Sequence, residues 1–265
     1  MINVGIAGIG FMGMIHYLAY RKLAGAQVAA ISTRNEQRLA GDWTDIKGNF
    51  GPQGEVMDLA GVARYSQLDD MIADPDIQLI DICLPPHLHA AATIKALEAG
   101  KHVVTANKEL MAAHGVELLT LAADRGLDLC FEGSVGGGIP LIGPFRRDLM
   151  ANEIQEVHAI LNGTTNYIMS QMADHGSDYD TALAEAQALG YAEPDPTNDV
   201  EGHDAAFKAS ILATLAFKGT ITPETVFREG ITSLTQADFT YAAELGYSIK
   251  LLAIAKRSDT AIEIR

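Results

Sequence analysis

Residues 2–13 read INVGIAGIGFMG. The β-branched and apolar run over 2–7 predicts a buried parallel strand. It runs straight into Gly8, Gly10 and Gly13, and helix-compatible residues follow over 14–22. Strand, tight glycine turn and helix, in that order, form the context that a dinucleotide-binding fingerprint requires. Gly8 permits the turn, Gly10 lets a pyrophosphate approach the backbone, and Gly13 lets the helix pack closely on the strand, with Phe11 and Met12 inside the turn. The bland alternative is a glycine-rich loop with no ligand.

Working outward, a second strand is predicted over 27–32. NAD-preferring sites carry an acid at its end. Here Ser32, Thr33 and Arg34 stand there, with no carboxylate before Glu36. An arginine pairs with a 2'-phosphate and a hydroxyl can donate to it, so NADP is expected, with NAD kept open; otherwise Arg34 merely starts the next helix. Residues 40–62 look like a loop insertion anchored by the only tryptophan, Trp43. A helical unit is predicted over 65–73 and a strand over 77–84, ended by Pro85 and Pro86. His89 follows, read as holding the next helix rather than meeting the nicotinamide. A helix over 90–99 closes at Gly100. A strand over 101–105 places Asn107 and Lys108 at its carboxyl end, where ligands of open sheets lie. A helix over 111–125 and a strand over 127–132 complete this half.

Bulk properties narrow the function classes. A chain of 265 residues with 48% hydrophobic content can bury a core, as one large domain or two smaller ones. A formal net charge of -15 repels phosphate backbones and anionic membranes, so neither nucleic acid nor membrane is an expected partner. Two cysteines, Cys83 and Cys130, are too few for a disulfide scaffold and are read as buried thiols. With no signal peptide and no bilayer-length apolar run, the expected location is the cytoplasm.

The second half begins with a glycine loop. Glu132 precedes GSVGGGIP, residues 133–140. Its exposed backbone suits a ligand or a weakly held cation such as sodium, or a hinge. A strand is predicted over 154–160, then a turn at Asn162 and Gly163, with Thr164 or Thr165 capping a helix from Tyr167. Residues 191–208, YAEPDPTNDVEGHDAAFK, crowd Glu193, Asp195, Asp199 and Glu201 ahead of a helix that begins near 201–203. Asp204 and Lys208, four apart, share one helix face. Because the helix is apolar around them, a partnered lysine is expected, able to polarise a carbonyl or relay its proton. A short helix capped by Thr222 over 222–228, a longer one over 238–254 and a strand over 261–265 follow.

The blocks VVTANKELMA, FEGSVGGGIPLI, LNGTTNYIMSQM and GYAEPDPTNDVEGHDAAFK resemble homoserine dehydrogenases. The resemblance implies an α/β chain with a Rossmann-type parallel sheet domain over 1–145. An α+β substrate and dimerisation domain, lacking its usual carboxyl-terminal part, would occupy 146–265. It implies a homodimer that acts on a small molecule, interconverting aspartate semialdehyde and homoserine with NADPH or NADH. By motif position, Lys208 and Lys108 match the catalytic lysines and Glu193 and Asp204 the substrate-binding acids. Asp199 matches a carboxylate that orders the site, while Glu132, Val135, Gly137 and Ile139 match a sodium site. Residues 1–102, through GIAGIGFMGMIH and DICLPPHLHAAATIKALEAGKHV, instead resemble the glucose–fructose oxidoreductase and inositol dehydrogenase group. That group's Glu-Lys-Pro is replaced by TANK at 105–108. A sugar or polyol oxidoreductase and an inactive nucleotide-binding relic are the alternatives.

Overall fold

The structure is a computed structural model that describes residues 1–48 and 51–265. Asn49 and Phe50, in the predicted insertion, lie outside the described residues. Two compact units are present, Met1–Ser134 and Val135–Arg265.

The first unit alternates strand and helix: β1 (Ile2–Ala7), α1 (Phe11–Tyr20), β2 (Ala26–Ser32), α2 (Glu36–Leu39), β3 (Ala63–Tyr65), α3 (Leu68–Ala73), β4 (Leu79–Ile82), α4 (Pro86–Glu98), β5 (His102–Thr105), α5 (Lys108–Asp124) and β6 (Leu129–Cys130). The strands form one six-stranded sheet in the order β3-β2-β1-β4-β5-β6, with every pairing parallel. This is the doubly wound Rossmann order, in which β1 sits beside the switch point. Val4, Ile6, Ile31, Ile80 and Val103 are fully buried, as strands covered on both faces require.

Several expected boundaries move. Tyr65 ends a short strand rather than starting a helix. The helix expected over 90–99 begins at Pro86, whose missing N–H costs nothing at the first helical position. Lys108 likewise opens α5 instead of trailing a strand, because Asn107 accepts from the Leu110 amide and starts the helix there. Cys130 is exposed, a correction to the buried reading: it ends a two-residue strand at the sheet edge. Trp43 does anchor the insertion. It is fully buried, meets Tyr17 edge-on at 5.0 Å, and donates Nε1–H to the Arg38 carbonyl at 2.8 Å.

The second unit comprises β7 (Glu156–Ala159), α6 (Gly163–His175), α7 (Tyr179–Ala188), α8 (Thr197–Val200), α9 (His203–Phe217), α10 (Gln236–Glu244), β8 (Ala253–Arg257) and β9 (Ile262–Ile264). Its strands form an antiparallel sheet, β7-β8-β9. Ala206, Ala209, Ala213 and Phe217 of α9 pack with Ala253 and Ala255 of β8 and Ile264 of β9. A second cluster joins Ile168, Met169 and Met172 of α6 to Ala182 and Ala186 of α7 and Phe239 of α10. The helix expected over 238–254 is instead α10 followed by β8. Gly246, at φ +78, stops the helix, and residues 253–257 pair with β7. The helix expected over 222–228 shrinks to a 3-10 turn at Pro223–Thr225, without a side-chain cap from Thr222.

The division between the units at 134/135 precedes the expected 145/146. The 3-10 turn Glu132–Ser134 folds back against β5, so the first unit ends with it.

His89 ties the first unit together beneath the TANK turn. It is 5% exposed; Nε2–H donates to the Leu84 carbonyl at 2.7 Å, and Nδ1 faces Thr105 Oγ1 at 3.1 Å. Burial holds its pKa below the ordinary 6.5. The unfolded chain then binds the proton first as pH falls, so stability from neutral His89 is present above pH 6.5 and is lost as pH falls toward the depressed folded value. Chemical denaturation at successive pH values checks this. His89→Gln should remove part of the stability loss below pH 6.5, and an unchanged pH slope would refute it.

Candidate active site

The glycine turn of the first unit meets the steric demands of a nucleotide cradle. Gly8 has φ +95, and a Cβ there would lie 2.7 Å from the Cys83 carbonyl oxygen. A Cβ on Gly13 would lie 2.1 Å from the Gly8 carbonyl oxygen, so α1 packs on the turn only with glycine at that position. Gly10 differs: a Cβ there would meet nothing within 4 Å. The space it leaves lies over the amino terminus of α1, where the first-turn backbone N–H groups and the helix dipole favour an anion. Gly10 is itself the helix N-cap, and Phe11 and Met12 supply the first-turn amides. These residues fit a dinucleotide pyrophosphate.

At the end of β2, Thr33 Oγ1 accepts from the Asn35 amide at 3.3 Å, and Asn35 caps α2. Arg34 is exposed and has no hydrogen-bonding partner among the described residues. Arg38 is engaged twice: Nη1 donates to the Ile9 carbonyl at 2.8 Å and Nη2 pairs with Asp45 at 2.7 Å. It fastens the insertion to the glycine turn, a role that sequence spacing did not suggest.

The TANK turn is built by its own polar side chains. Thr105 Oγ1 accepts the Asn107 amide at 3.2 Å, and Asn107 Oδ1 accepts the Leu110 amide at 2.7 Å. Asn107 Oδ1 is thereby engaged as the cap, while half-buried Lys108 occupies the first position of α5. A cation at a helix amino terminus opposes the helix dipole, so helix stability does not explain this lysine.

In the second unit the central residue is Asn162. Its Nδ2 donates to Asp199 Oδ1 at 2.7 Å and to Asp204 Oδ2 at 2.9 Å, while its Oδ1 accepts the Thr165 amide at 2.8 Å. Asn162 therefore caps α6, the part expected of Thr164 or Thr165. Lys208 Nζ lies 2.8 Å from Asp204 Oδ2 and donates to the Leu161 carbonyl at 2.8 Å. The side chains of Lys208 and Asp204 are 16% and 3% exposed. Two of the three ammonium N–H groups are thus engaged, and the third has no partner among the described residues. Asp204 sits in the first turn of α9, where the helix dipole favours its charge.

Glu193 lies outside this network. It is exposed, and its loop is held by its backbone, with Gln187 Nε2 donating to the Glu193 carbonyl at 3.1 Å. Thr164 Oγ1 donates to the Tyr191 carbonyl at 2.7 Å, and the Tyr191 ring packs 4.9 Å from that of Tyr167.

The stretch read as a sodium site straddles the division: Glu132 belongs to the first unit, Val135, Gly137 and Ile139 to the second. Val135 is buried, Gly137 has φ +59, and the Ile139 amide donates to the Gly136 carbonyl at 3.0 Å.

Comparison with known proteins places both halves. A family model described as homoserine dehydrogenase matches residues 140–265, and one described as oxidoreductase family, NAD-binding Rossmann fold, matches residues 2–127. A homoserine dehydrogenase of Pseudomonas aeruginosa is 40% identical over 273 aligned residues, which cover all of this chain and 59% of that protein. The chain thus spans less than two thirds of that relative's length. A hyperthermophilic archaeal homoserine dehydrogenase solved in complex with NADPH shares 25% identity at a TM-score of 0.74, covering 100% of this chain and 81% of that one. A crystal structure from Archaeoglobus fulgidus, assigned as a homoserine dehydrogenase, superposes with a TM-score of 0.79 at 31% identity, covering 100% of this chain and 82% of that one. With the parallel nucleotide-binding sheet and matches of this extent, the chain belongs to the homoserine dehydrogenase family.

Proposed function

We propose that the protein interconverts L-aspartate 4-semialdehyde and L-homoserine by hydride transfer with NADP. The observation that carries this reading is the linked set Asp199–Asn162–Asp204–Lys208, a half-buried ammonium held in place with one N–H to spare. The nicotinamide, when bound, supplies or accepts the hydride at the substrate's terminal carbon. Lys208 donates its spare N–H to the carbonyl oxygen, stabilises the developing alkoxide and delivers the proton. Asp204 holds that ammonium in place, and Asp199, acting through Asn162, fixes Asp204. The Glu193 carboxylate, free of side-chain partners among the described residues, joins Asp204 in receiving the substrate's amino group. Lys108 serves the same reaction from the start of α5.

For the nucleotide, Gly8, Gly10, Phe11, Met12 and Gly13 hold the pyrophosphate, with Thr33, Arg34 and Asn107 at its flanks. Exposed Arg34 receives the 2'-phosphate, and the NADPH complex of the archaeal relative supports this preference. Glu132, Val135, Gly137 and Ile139 hold a sodium ion through backbone carbonyls, a role carried over from the family resemblance. No helix among the described residues is long and apolar enough to cross a membrane. A cytoplasmic location and a small-molecule substrate follow from the family reading. The family's homodimer is the expected assembly.

Steady-state oxidation of homoserine with NADP and with NAD tests the reading; turnover of sugars or polyols, but never of homoserine, would refute it. Lys208→Ala should lower kcat by about 10²- to 10⁴-fold while cofactor affinity stays within about twofold of the parent. Equal losses of turnover and cofactor binding would make Lys208 structural. Arg34→Ala should raise KM for NADP about 10- to 100-fold with little change for NAD, the value of a charged hydrogen bond. An unchanged cofactor ratio would remove the phosphate role.

A further inference from the structure

Three side chains that the proposed reaction does not use meet between α1 and β4. His16 Nδ1 lies 2.8 Å from Asp81 Oδ2. Cys83 Sγ lies 3.4 Å from the same nitrogen and 3.8 Å from Asp81 Oδ1. Among the described residues this is the one group of three His, Cys, Asp or Glu ligand atoms all within 4.8 Å of one another. The Asp81 side chain is 1% exposed and that of His16 is 24% exposed, so the cluster is buried at the carboxylate and open to solvent at the imidazole. A structural ion pair of His16 with Asp81 is the simpler use of two of these groups, but it leaves the thiol unexplained.

The separations match a metal polyhedron. With metal–nitrogen and metal–oxygen bonds of about 2.0 Å and metal–sulfur bonds of about 2.3 Å, the edges of a tetrahedral site measure roughly 3.3–3.6 Å. Here Sγ and Nδ1 are 3.4 Å apart, and the carboxylate approaches Nδ1 through Oδ2 at 2.8 Å and Sγ through Oδ1 at 3.8 Å; with one ligand atom from each residue, all lie within 4.8 Å of one another, so rotations of the side chains would close the site. Charge favours the same conclusion: a divalent cation, one thiolate and one carboxylate sum to zero, which neutralises the buried Asp81.

We propose that His16, Asp81 and Cys83 bind one zinc-class divalent cation, with the fourth position taken by water. The thiolate selects zinc and its neighbours over magnesium and calcium, which prefer all-oxygen sites. On binding, His16 Nδ1 releases to solvent the proton it donates to Asp81 and gives the freed lone pair to the metal, the imidazole keeping a proton on Nε2; the Cys83 thiol also loses its proton to solvent, and Asp81 exchanges its hydrogen bond for a metal–oxygen bond. The Tyr20 phenol, whose pKa burial and nearby Asp81 push up, stays protonated beside the carboxylate. Because α1 begins at the glycine turn and Cys83 follows β4, the metal would clasp two segments that frame the nucleotide turn.

The test is metal binding itself, which does not depend on catalysis. The purified chain is equilibrated with zinc, freed of excess and assayed for metal, then loaded with cobalt(II) and examined for a thiolate-to-cobalt charge-transfer band. One equivalent per chain and a clear band are expected. Cys83→Ala should abolish the band, and Cys83→Ala and His16→Gln should each weaken zinc by at least about 10- to 100-fold, the range seen even for outer partners of metal ligands. Cys130→Ser should change neither. Absence of retained zinc, equal zinc affinity in Cys83→Ala, or a band that depends on Cys130 would each overturn the proposal. Circular dichroism confirms that each variant is folded; if His16→Gln is not, Cys83→Ala alone decides.

Discussion

An ammonium group cannot be drawn largely out of water without a counter-charge and hydrogen bonds to meet it. In the second unit that constraint organises everything around Lys208. Its Nζ is held by Asp204 and the Leu161 carbonyl, which fixes the loop before α6 against the first turns of α9. Asp204 must in turn be satisfied, and Asn162 does so while also reaching Asp199 and capping α6. The loop before α6 and the α8–α9 stretch, 37 to 47 positions apart along these bonds, are thereby locked around one charge. Removing a single member would strand the others, which costs more than the bonds themselves are worth.

The first unit obeys a different constraint, one of volume. The approach of Gly13 to the Gly8 carbonyl sets how closely α1 can lie on the turn, and that closeness aims the helix amino terminus into the space that Gly10 leaves empty. Arg38 then binds the insertion to the same turn through the Ile9 carbonyl. Steric exclusion shapes the turn in one unit, and charge compensation fixes the ammonium in the other.

These two kinds of constraint were not equally legible in the sequence. The glycine turn is local, so its spacing, its preceding strand and its following helix all fall within one short window, and the six-stranded sheet follows from repeating that pattern. The pairing of Asp204 with Lys208 is also local, being one helical turn. Asn162 was legible only as a turn residue, because its two acidic partners lie 37 and 42 positions away. The same limit explains the misread stretch after 238: alanine, leucine and isoleucine suit either period there, and pairing with β7, about a hundred residues earlier, decides for a strand. Cys130 was misjudged because an apolar neighbourhood does not reveal that its strand is two residues long and lies at the sheet edge.

Two largely buried lysines are held by partners of different chemistry. Lys101 is 8% exposed, more deeply buried than Lys208, yet its Nζ meets only main-chain carbonyls, of Asp74 at 2.6 Å and Ile77 at 2.7 Å. It splices the end of α3 to the approach of β4 and stands just before β5, at the opposite end of the strands from the carboxyl ends where ligands of open sheets lie. Lys208 meets a carboxylate as well as a carbonyl, and that carboxylate is shared with an asparagine rather than consumed by the lysine alone. A carbonyl pair offers an ammonium hydrogen bonds alone; a carboxylate adds a counter-charge. Burial alone would have ranked Lys101 first. What separates the two is the chemistry of their partners, and that difference is what the proposed role of Lys208 rests on.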